Sequence, residues 1–136
     1  MSIKMLFPPT TTKVNMFSSP RVNREIKSRT KRNIEQYTEK SDEDIKARIK
    51  ELDYEWDTER TLEVNFALIV IVTTFIGAIR NKKWSLISTI AAVFMLQHSL
   101  QGWCPPLSVI RRLGVRTATE ILEEKEALKR VLNQRG

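Results

Sequence analysis

The sequence predicts an all-α protein, an integral membrane helical hairpin with flanking amphipathic helices and a flexible N-terminal tail. Two long apolar stretches, residues 62–79 and 84–100, are separated by only four residues. Charged segments flank them, and residues 1–60 alone carry 13 Lys/Arg and 11 Asp/Glu. Aromatic rings border each stretch, where they would sit at headgroup depth. The bordering tryptophans are Trp56, Trp84 and Trp103.

Residues 1–40 form a basic N-terminal arm that is expected to be partly disordered. Pro8, Pro9 and Pro20 interrupt residues 1–20, which lack any apolar period, and a weakly amphipathic helix is expected over residues 22–38. Basic residues beside a membrane anchor attract anionic lipid headgroups. Nucleic acid is the competing partner, but no aromatic-interleaved basic patch or nucleic-acid fold accompanies the arm, so we expect no nucleic-acid binding.

The first residues also raise the question of targeting. They contain no long apolar core, so a signal peptide is not expected, although an acid-poor start rich in Ser, Thr and Arg can also indicate a transit peptide. The chain has one cysteine and one histidine. A Cys/His metal cage within one chain is therefore excluded, and no metal ion or cofactor is expected.

Residues 41–61 predict an amphipathic helix. Ser41 precedes three acidic residues, which is the pattern of an N-cap with favourable charge in the first turn. Apolar side chains then recur every three or four residues, which places them on one helical face. This stripe must meet the bilayer surface, a partner helix or the C-terminal helix of the same chain. It consists of Ile45, Ile49, Leu52 and Trp56.

Residues 62–100 predict the two-helix hairpin. At 1.5 Å per residue each apolar stretch is about 25–27 Å long, slightly short of a hydrocarbon core of about 30 Å. The four-residue connector forces the two helices to be antiparallel neighbours. A soluble bundle is the alternative, but the rest of the chain has too few apolar helices to wrap two that are apolar on every side.

The charges near the hairpin predict its orientation. The connector carries Arg80, Lys82 and Lys83, whereas seven basic residues lie near the other ends of the two stretches. Because the more basic side normally stays in the cytoplasm, both termini are expected there, with the connector outside.

The segment after the hairpin is expected to lie along the membrane surface. Within the junction at residues 101–116, a short helix over residues 105–113 would start at Pro105 and stop at Gly114. Thr117 and Glu120 match a capping box that opens the C-terminal amphipathic helix of residues 117–136. The side chains expected to anchor the interface are Trp56, Trp84, Trp103, Arg80, Lys82, Lys83, Arg111 and Arg112.

Cys104 is the candidate reactive thiol. As the N-cap of the short helix it would lie where the helix dipole favours a thiolate, and it could accept sulfur, form an intermolecular disulfide or ligate a metal or haem iron. The competing interpretation is a small residue packed at a helix junction.

Polar residues near the end of the second stretch form a candidate functional cluster, because polar groups at membrane depth usually face a partner or water. The cluster consists of Gln97, His98 and Gln101. His98 could activate Cys104, but it could equally satisfy backbone groups freed at the Pro105–Pro106 break, and the sequence shows no third group to orient it. Glu63 and Asn65 are expected to pair with this cluster across the hairpin.

The junction contains two motifs, residues 96–107 (LQHSLQGWCPPL) and 111–114 (RRLG). With Cys104, Pro105, Leu113 and Gly114 at the matching positions, it resembles the junction of small bacterial membrane proteins with a YgaP-like transmembrane domain, which have two membrane helices followed by a Cys-Pro element and a Leu-Gly step. The similarity extends over roughly residues 20–132. In some relatives the hairpin follows a rhodanese sulfurtransferase domain, but this chain has no second cysteine to serve as its active site.

These patterns lead to two functional hypotheses. The first is a non-enzymatic, multi-pass protein of the bacterial inner membrane that anchors or assembles a membrane complex, as a homo-oligomer or with other membrane subunits. The second is a sulfur- or thiol-handling membrane component that uses Cys104 with a separate sulfurtransferase. No phosphate loop, catalytic triad or dinucleotide fingerprint occurs, so no catalytic residue is assigned.

Overall fold

The structure is a computed structural model that describes residues 7–136, and these residues form seven α-helices and no strand. The all-α fold class is therefore confirmed. The helices are α1 Lys13–Phe17, α2 Pro20–Thr38, α3 Asp42–Tyr54, α4 Thr58–Ile79, α5 Trp84–Gln101, α6 Pro105–Arg112 and α7 Ala118–Arg135.

Short polar side chains determine where the helices begin. The Ser41 hydroxyl accepts a hydrogen bond from the Asp44 amide and starts α3, and the Asp57 carboxylate accepts one from the Arg60 amide and starts α4. Thr117 and Glu120 form the predicted capping box at α7, in which each side chain binds the backbone N–H of the other residue. The predicted caps at Ser41 and Thr117 are confirmed.

The helices α4 and α5 pack side by side as an antiparallel pair. Their contacts run in opposite directions along the chain, from Gly77 against Ser85, through Thr73 with Ser88, to Glu59 with His98. A Cβ at Gly77 would meet the Ser85 hydroxyl at 2.8 Å, so glycine allows the backbones to approach closely. The ends Thr58 and Gln101 therefore lie together, far from the connector.

The outer surface of this pair is apolar. Among the described residues, one segment, Asp42–Ile79, which comprises α3 and α4, contains a stretch long and apolar enough to cross a membrane by length and composition, and only 22% of that stretch is buried. The helix α5 is long enough at eighteen residues but does not meet the same standard, because polar residues such as Gln97, His98 and Gln101 lower its mean hydropathy. The exposed apolar side chains are Leu68, Ile69, Ile71, Val72, Phe75, Ile79, Leu86, Ile87, Ile90, Val93, Leu96 and Leu100.

A cap of three helices, α2, α3 and α7, packs together at the other end of the molecule. The apolar stripe of α3 contacts the C-terminal helix, which decides among the three partners that the sequence allowed. Ile45 and Leu52 are buried against Ile121 and Leu128 of α7, with Ile49 at the edge. Trp56 lies beyond the end of α3 and stays outside this core.

A second apolar cluster joins the cap to the hairpin. Leu107 and Ile110 of α6 pack against Leu62 and Phe66 of α4, together with Val14 of α1. The helix α6 ends one residue earlier than expected, in a Schellman motif in which Gly114, at φ +89°, and the next residue donate to the Arg111 and Ile110 carbonyls.

The N-terminal arm is more ordered than expected. Within the described residues, Lys13–Phe17 is helical and α2 runs for nineteen residues, whereas the sequence analysis expected a flexible tail up to residue 20. The prediction was wrong here because it considered the arm alone. Lys13 and Val14 are buried against other parts of the chain, and these tertiary contacts compensate for a weak local helix propensity. Residues 1–6 of the arm lie outside the described residues.

We predict that Gly102→Ala destabilises the contact between α1 and the end of α5. Gly102 has φ +85°, and a Cβ there would lie 2.6 Å from the Lys13 Cβ. The unfavourable backbone angle alone should cost about 1–2 kcal/mol, and the clash adds to it. Chemical denaturation in detergent micelles should show this loss, while Gly136→Ala, whose nearest neighbour is 3.7 Å away, should behave like the unmodified protein. Equal stability of the two variants would contradict the packing described here.

Candidate functional site

The candidate thiol lies in a closed environment at the base of the hairpin. Cys104 has no exposed surface and belongs to the apolar cluster between α4 and α6. It occupies the N-cap position of α6, as the sequence predicted, but its side chain makes no capping hydrogen bond. The imidazole of His98 is also fully buried and lies near Cys104, but no hydrogen bond joins the two side chains. The structure therefore brings these two predicted residues together.

A carboxylate orients the imidazole from the facing helix. The His98 Nε2 lies 3.1 Å from both carboxylate oxygens of Glu59, which accept its hydrogen bond. Lys13 closes the cluster, with its Nζ 3.7 Å from Glu59 and donating to the Ser99 carbonyl. The predicted partners of His98 were wrong: the acid is one turn before Glu63, and the Asn65 side chain donates to the Thr61 carbonyl instead.

A thiol, an imidazole and a carboxylate placed in this order can activate a nucleophile, but here the thiol is closed to solvent. A nucleophile needs access to its substrate, and Cys104 has none in this conformation. The His98 Nδ1 finds no hydrogen-bond partner within residues 7–136. In the described part of the chain, no three Cys, His, Asp or Glu side chains converge so as to hold a metal ion.

Gln97 and Gln101 do not join this cluster. Both are partly exposed and line a shallow groove of about 510 Å³ on the apolar surface, beside Phe7 and Leu100. The polar cluster predicted from the sequence is thus divided between a buried histidine and two glutamines at the surface.

Most of the residues predicted as interface anchors are exposed. Trp56 and Trp103 lie at the cap end of α4 and α5, with 52% and 37% of their surface exposed, and Trp84 lies beside the connector. The basic residues of the connector and Arg112 are also exposed.

Arg111 is the exception, and its prediction as an interface anchor was wrong. It is only 1% exposed, and its guanidinium donates to both carboxylate oxygens of Glu120 at 2.7 and 2.9 Å. Further hydrogen bonds to Ser18 and Asn23 saturate the side chain, so it connects α6 to the start of α2 and to α7. A buried guanidinium needs such partners because its desolvation is costly.

A second buried arginine organises the cap. Arg116 is 1% exposed and donates to Glu55, Glu124 and the Thr30 hydroxyl. Glu124 is itself fully buried and accepts additional hydrogen bonds from Arg48 at 2.9 Å and Asn33 at 3.2 Å. We call this set the Arg116 network; it joins α2, α3 and α7 to the segment that precedes the hairpin. Its members are Thr30, Asn33, Arg48, Glu55, Arg116 and Glu124.

These contacts change the pKa values of the acids. Burial would raise the pKa of Glu124, but the hydrogen bonds from Arg48, Arg116 and Asn33 outweigh it and hold the pKa below its ordinary value of 4.5. The pKa of Glu120 is lowered in the same way, since burial is outweighed by Arg111 and by the Thr117 backbone. Both acids therefore stay charged in the folded protein at neutral pH.

The structural roles of Glu59, Glu124 and the two buried arginines were not predicted from the sequence. A signal was present in α7, where Glu124 lies between Ile121 and Leu128 at spacings of three and four and so interrupts the buried stripe. An acid on a buried face requires a buried cation. No sequence pattern predicts the pairing of His98 with Glu59, because it depends on the register between α4 and α5.

The chain matches no known protein-family model, no curated protein and no solved structure. The resemblance to YgaP-like transmembrane domains therefore stays a prediction from the junction residues.

We predict that Glu124→Gln loses about 3 kcal/mol of stability at pH 7, because Arg116 and Arg48 would keep buried charges without their carboxylate. Denaturant unfolding in micelles measures this loss. The neighbouring Glu123→Gln is the matched control, since Glu123 is exposed.

The same pair of variants should differ in their response to acid. The folded pKa values of Glu120 and Glu124 are lowered, so the stability that they contribute is complete above the ordinary value of 4.5 and is lost as the pH falls through the lowered values. Glu124→Gln should therefore lose less stability between pH 6 and acid pH than Glu123→Gln does. Identical pH profiles would show that the Arg116 network does not carry this stability.

Proposed function

We propose that this chain is a non-enzymatic, two-span membrane protein whose hairpin anchors the helical cap to a membrane and acts as an assembly or accessory component of a membrane complex. The carrying observation is the belt of exposed apolar side chains on both α4 and α5, whereas the charged cap buries its own apolar stripes. A soluble monomer rarely exposes a contiguous apolar surface of this extent.

The polar side chains of the hairpin also suit a hydrocarbon environment, where each hydrogen-bonding group needs a partner within the protein. Thr73 donates to the Ile69 carbonyl, Thr89 to the Ser85 carbonyl, and Ser88 pairs with the threonine hydroxyls of α4. The hydroxyls named here therefore need no water to satisfy them.

The shorter helix α5 is proposed as the second span because of its packing against α4. It is packed antiparallel to α4 from the connector to His98, so a membrane that surrounds α4 must also contact α5. Its eighteen residues extend about 27 Å, close to the thickness of a bilayer core.

The side of the membrane on which the cap lies, and the type of membrane, are proposed from the sequence. The cap end is surrounded by more basic residues than the connector, which favours a cytoplasmic cap, and the resemblance at the junction favours a bacterial inner membrane. Gln97 supports assembly with a second copy or another membrane subunit, since its amide lies in the apolar groove beside Leu96 and Leu100.

We expect three single-cysteine additions to report the two-span topology. In spheroplasts, an impermeant maleimide should label Asn81→Cys, whereas Glu39→Cys and Gly136→Cys should be labelled only after lysis. All three positions are exposed, and the unmodified protein with its buried Cys104 is the control. Opposite labelling of Glu39→Cys and Gly136→Cys would indicate a single span, and equal labelling of all three would contradict membrane crossing.

A second candidate function is thiol or sulfur handling through Cys104, with a separate sulfurtransferase as donor. The observation that favours it is the position of His98, which Glu59 orients, near the buried thiol. The complete burial of Cys104 opposes it, since α1 and α6 would have to move before a substrate could reach the sulfur.

Thiol alkylation separates the two functions. Because Cys104 is buried, a maleimide should modify it much more slowly in the folded protein than in denaturant. His98→Gln should leave this protection in place if the pair only packs the junction. Rapid alkylation of the folded protein that disappears in His98→Gln would instead establish an activated thiol.

A further inference from the structure

A cavity of about 370 Å³ lies between α2 and the end of α6, and it is rich in arginine. Arg29 and Arg32 reach it from α2, and Arg112 reaches it from α6, beside Leu113 and Gly114. Arg111 also lines the cavity, but its guanidinium is already bound to Glu120.

The other three arginines of the cavity lack such partners. Within residues 7–136, none of Arg29, Arg32 and Arg112 forms an ion pair with a carboxylate, in contrast to Arg48, Arg111 and Arg116. Arg29 donates one hydrogen bond, to the Gly114 carbonyl at 2.6 Å. The acid at the cavity, Glu25, accepts from Arg21 at 2.9 Å.

Gly114 allows Arg29 to take this position. A Cβ at Gly114 would lie 2.6 Å from the Arg29 Nη1, so any larger residue would push the guanidinium away. Both the positive φ of Gly114 and the close approach of Arg29 are possible because residue 114 has no side chain.

The cavity lies at the level of the membrane surface in the proposed arrangement. The Thr58 amide at the start of α4 donates to the Arg116 carbonyl at 2.9 Å, which places the end of the α6–α7 loop beside the first span. A neighbouring cavity of about 430 Å³ shares Arg29, Leu113 and Gly114 and extends to Trp56. Leu113 is 76% exposed, so a solvent-exposed apolar side chain lies next to the arginines.

We propose that this cavity, which we call the arginine cavity, binds the phosphate headgroup of an anionic phospholipid. The planar guanidinium groups of Arg29, Arg32 and Arg112 match the oxygens of a phosphodiester, and Leu113 and Trp56 lie where its acyl chains would run. This inference rests on the proposed membrane function and assigns a lipid class to one surface of the cap.

A lipid is favoured over a soluble phosphate because of the neighbouring apolar groups. A free phosphate needs only the arginines, whereas a phospholipid also covers Leu113 and the ring of Trp56. Positive groups at the surface of a membrane also meet a high local concentration of anionic headgroups.

The test uses the full-length protein, purified in detergent and titrated with dioleoyl phosphatidylglycerol or dioleoyl phosphatidylcholine, with bound lipid counted by native mass spectrometry. The variant Arg32→Gln/Arg112→Gln removes two exposed arginines of the cavity and leaves Arg29 in its contact with Gly114. The matched control, Arg24→Gln/Arg130→Gln, removes the same charge from exposed positions outside the cavity.

Phosphatidylglycerol should bind the unmodified protein and the control equally, and the cavity variant about thirtyfold more weakly, while phosphatidylcholine binds all three alike. Equal loss in both variants, or no preference for the anionic lipid, would overturn the proposal. Displacement of the lipid by millimolar inorganic phosphate would assign the cavity to a soluble phosphate instead. A failure of the membrane function itself is seen separately, in the labelling of Asn81→Cys, Glu39→Cys and Gly136→Cys.

Discussion

Arg116 and Glu124 face each other at the centre of the cap, and both side chains are buried. Two charges removed from water must remain paired and hydrogen-bonded, because either alone would carry a large desolvation penalty. Their remaining partners come from α2, from α3 and from the residue after α3, namely Thr30 and Asn33, Arg48, and Glu55. A shift of any one helix would leave a buried polar group unsatisfied, so the network disfavours other arrangements of the cap.

The cap in turn positions the hairpin. The Arg116 carbonyl accepts from the Thr58 amide, the first residue of α4. Arg111, five residues earlier, is bound to Glu120 and to the segment before α2. Between these two arginines the chain makes its left-handed turn at Gly114. The base of the hairpin is therefore held by polar contacts on one side and by the apolar cluster around Leu107 on the other.

These contacts explain why Cys104, the candidate reactive thiol, is inaccessible to solvent. Cys104 and His98 lie at the base of the hairpin, and Val14 and Lys13 of α1 cover them. Opening this site would require breaking the contacts that attach α1 to Ser99 and Glu59. The polar groups that a ligand can reach lie on the outer surface instead, where Arg32 and Arg112 are exposed beside Leu113.

Local patterns in the sequence were sufficient for the all-α class, the caps at Ser41 and Thr117, the turn at Gly114 and the apolar faces of α3 and α7. Each depends on residues within a few positions of one another, where sterics and helical period act directly. Only the tertiary structure decided that Lys13–Phe17 would be ordered, that Glu59 rather than Glu63 would face His98, and that Arg111 would be buried instead of at the interface. Those outcomes depend on contacts between distant parts of the chain, such as His98 with Glu59, 39 positions apart, and Arg111 with Ser18, 93 positions apart. Helix register and desolvation after packing determine which charges meet there. The hairpin predicted first from the sequence keeps its apolar surface, but its attachment to the cap depends on these buried polar contacts.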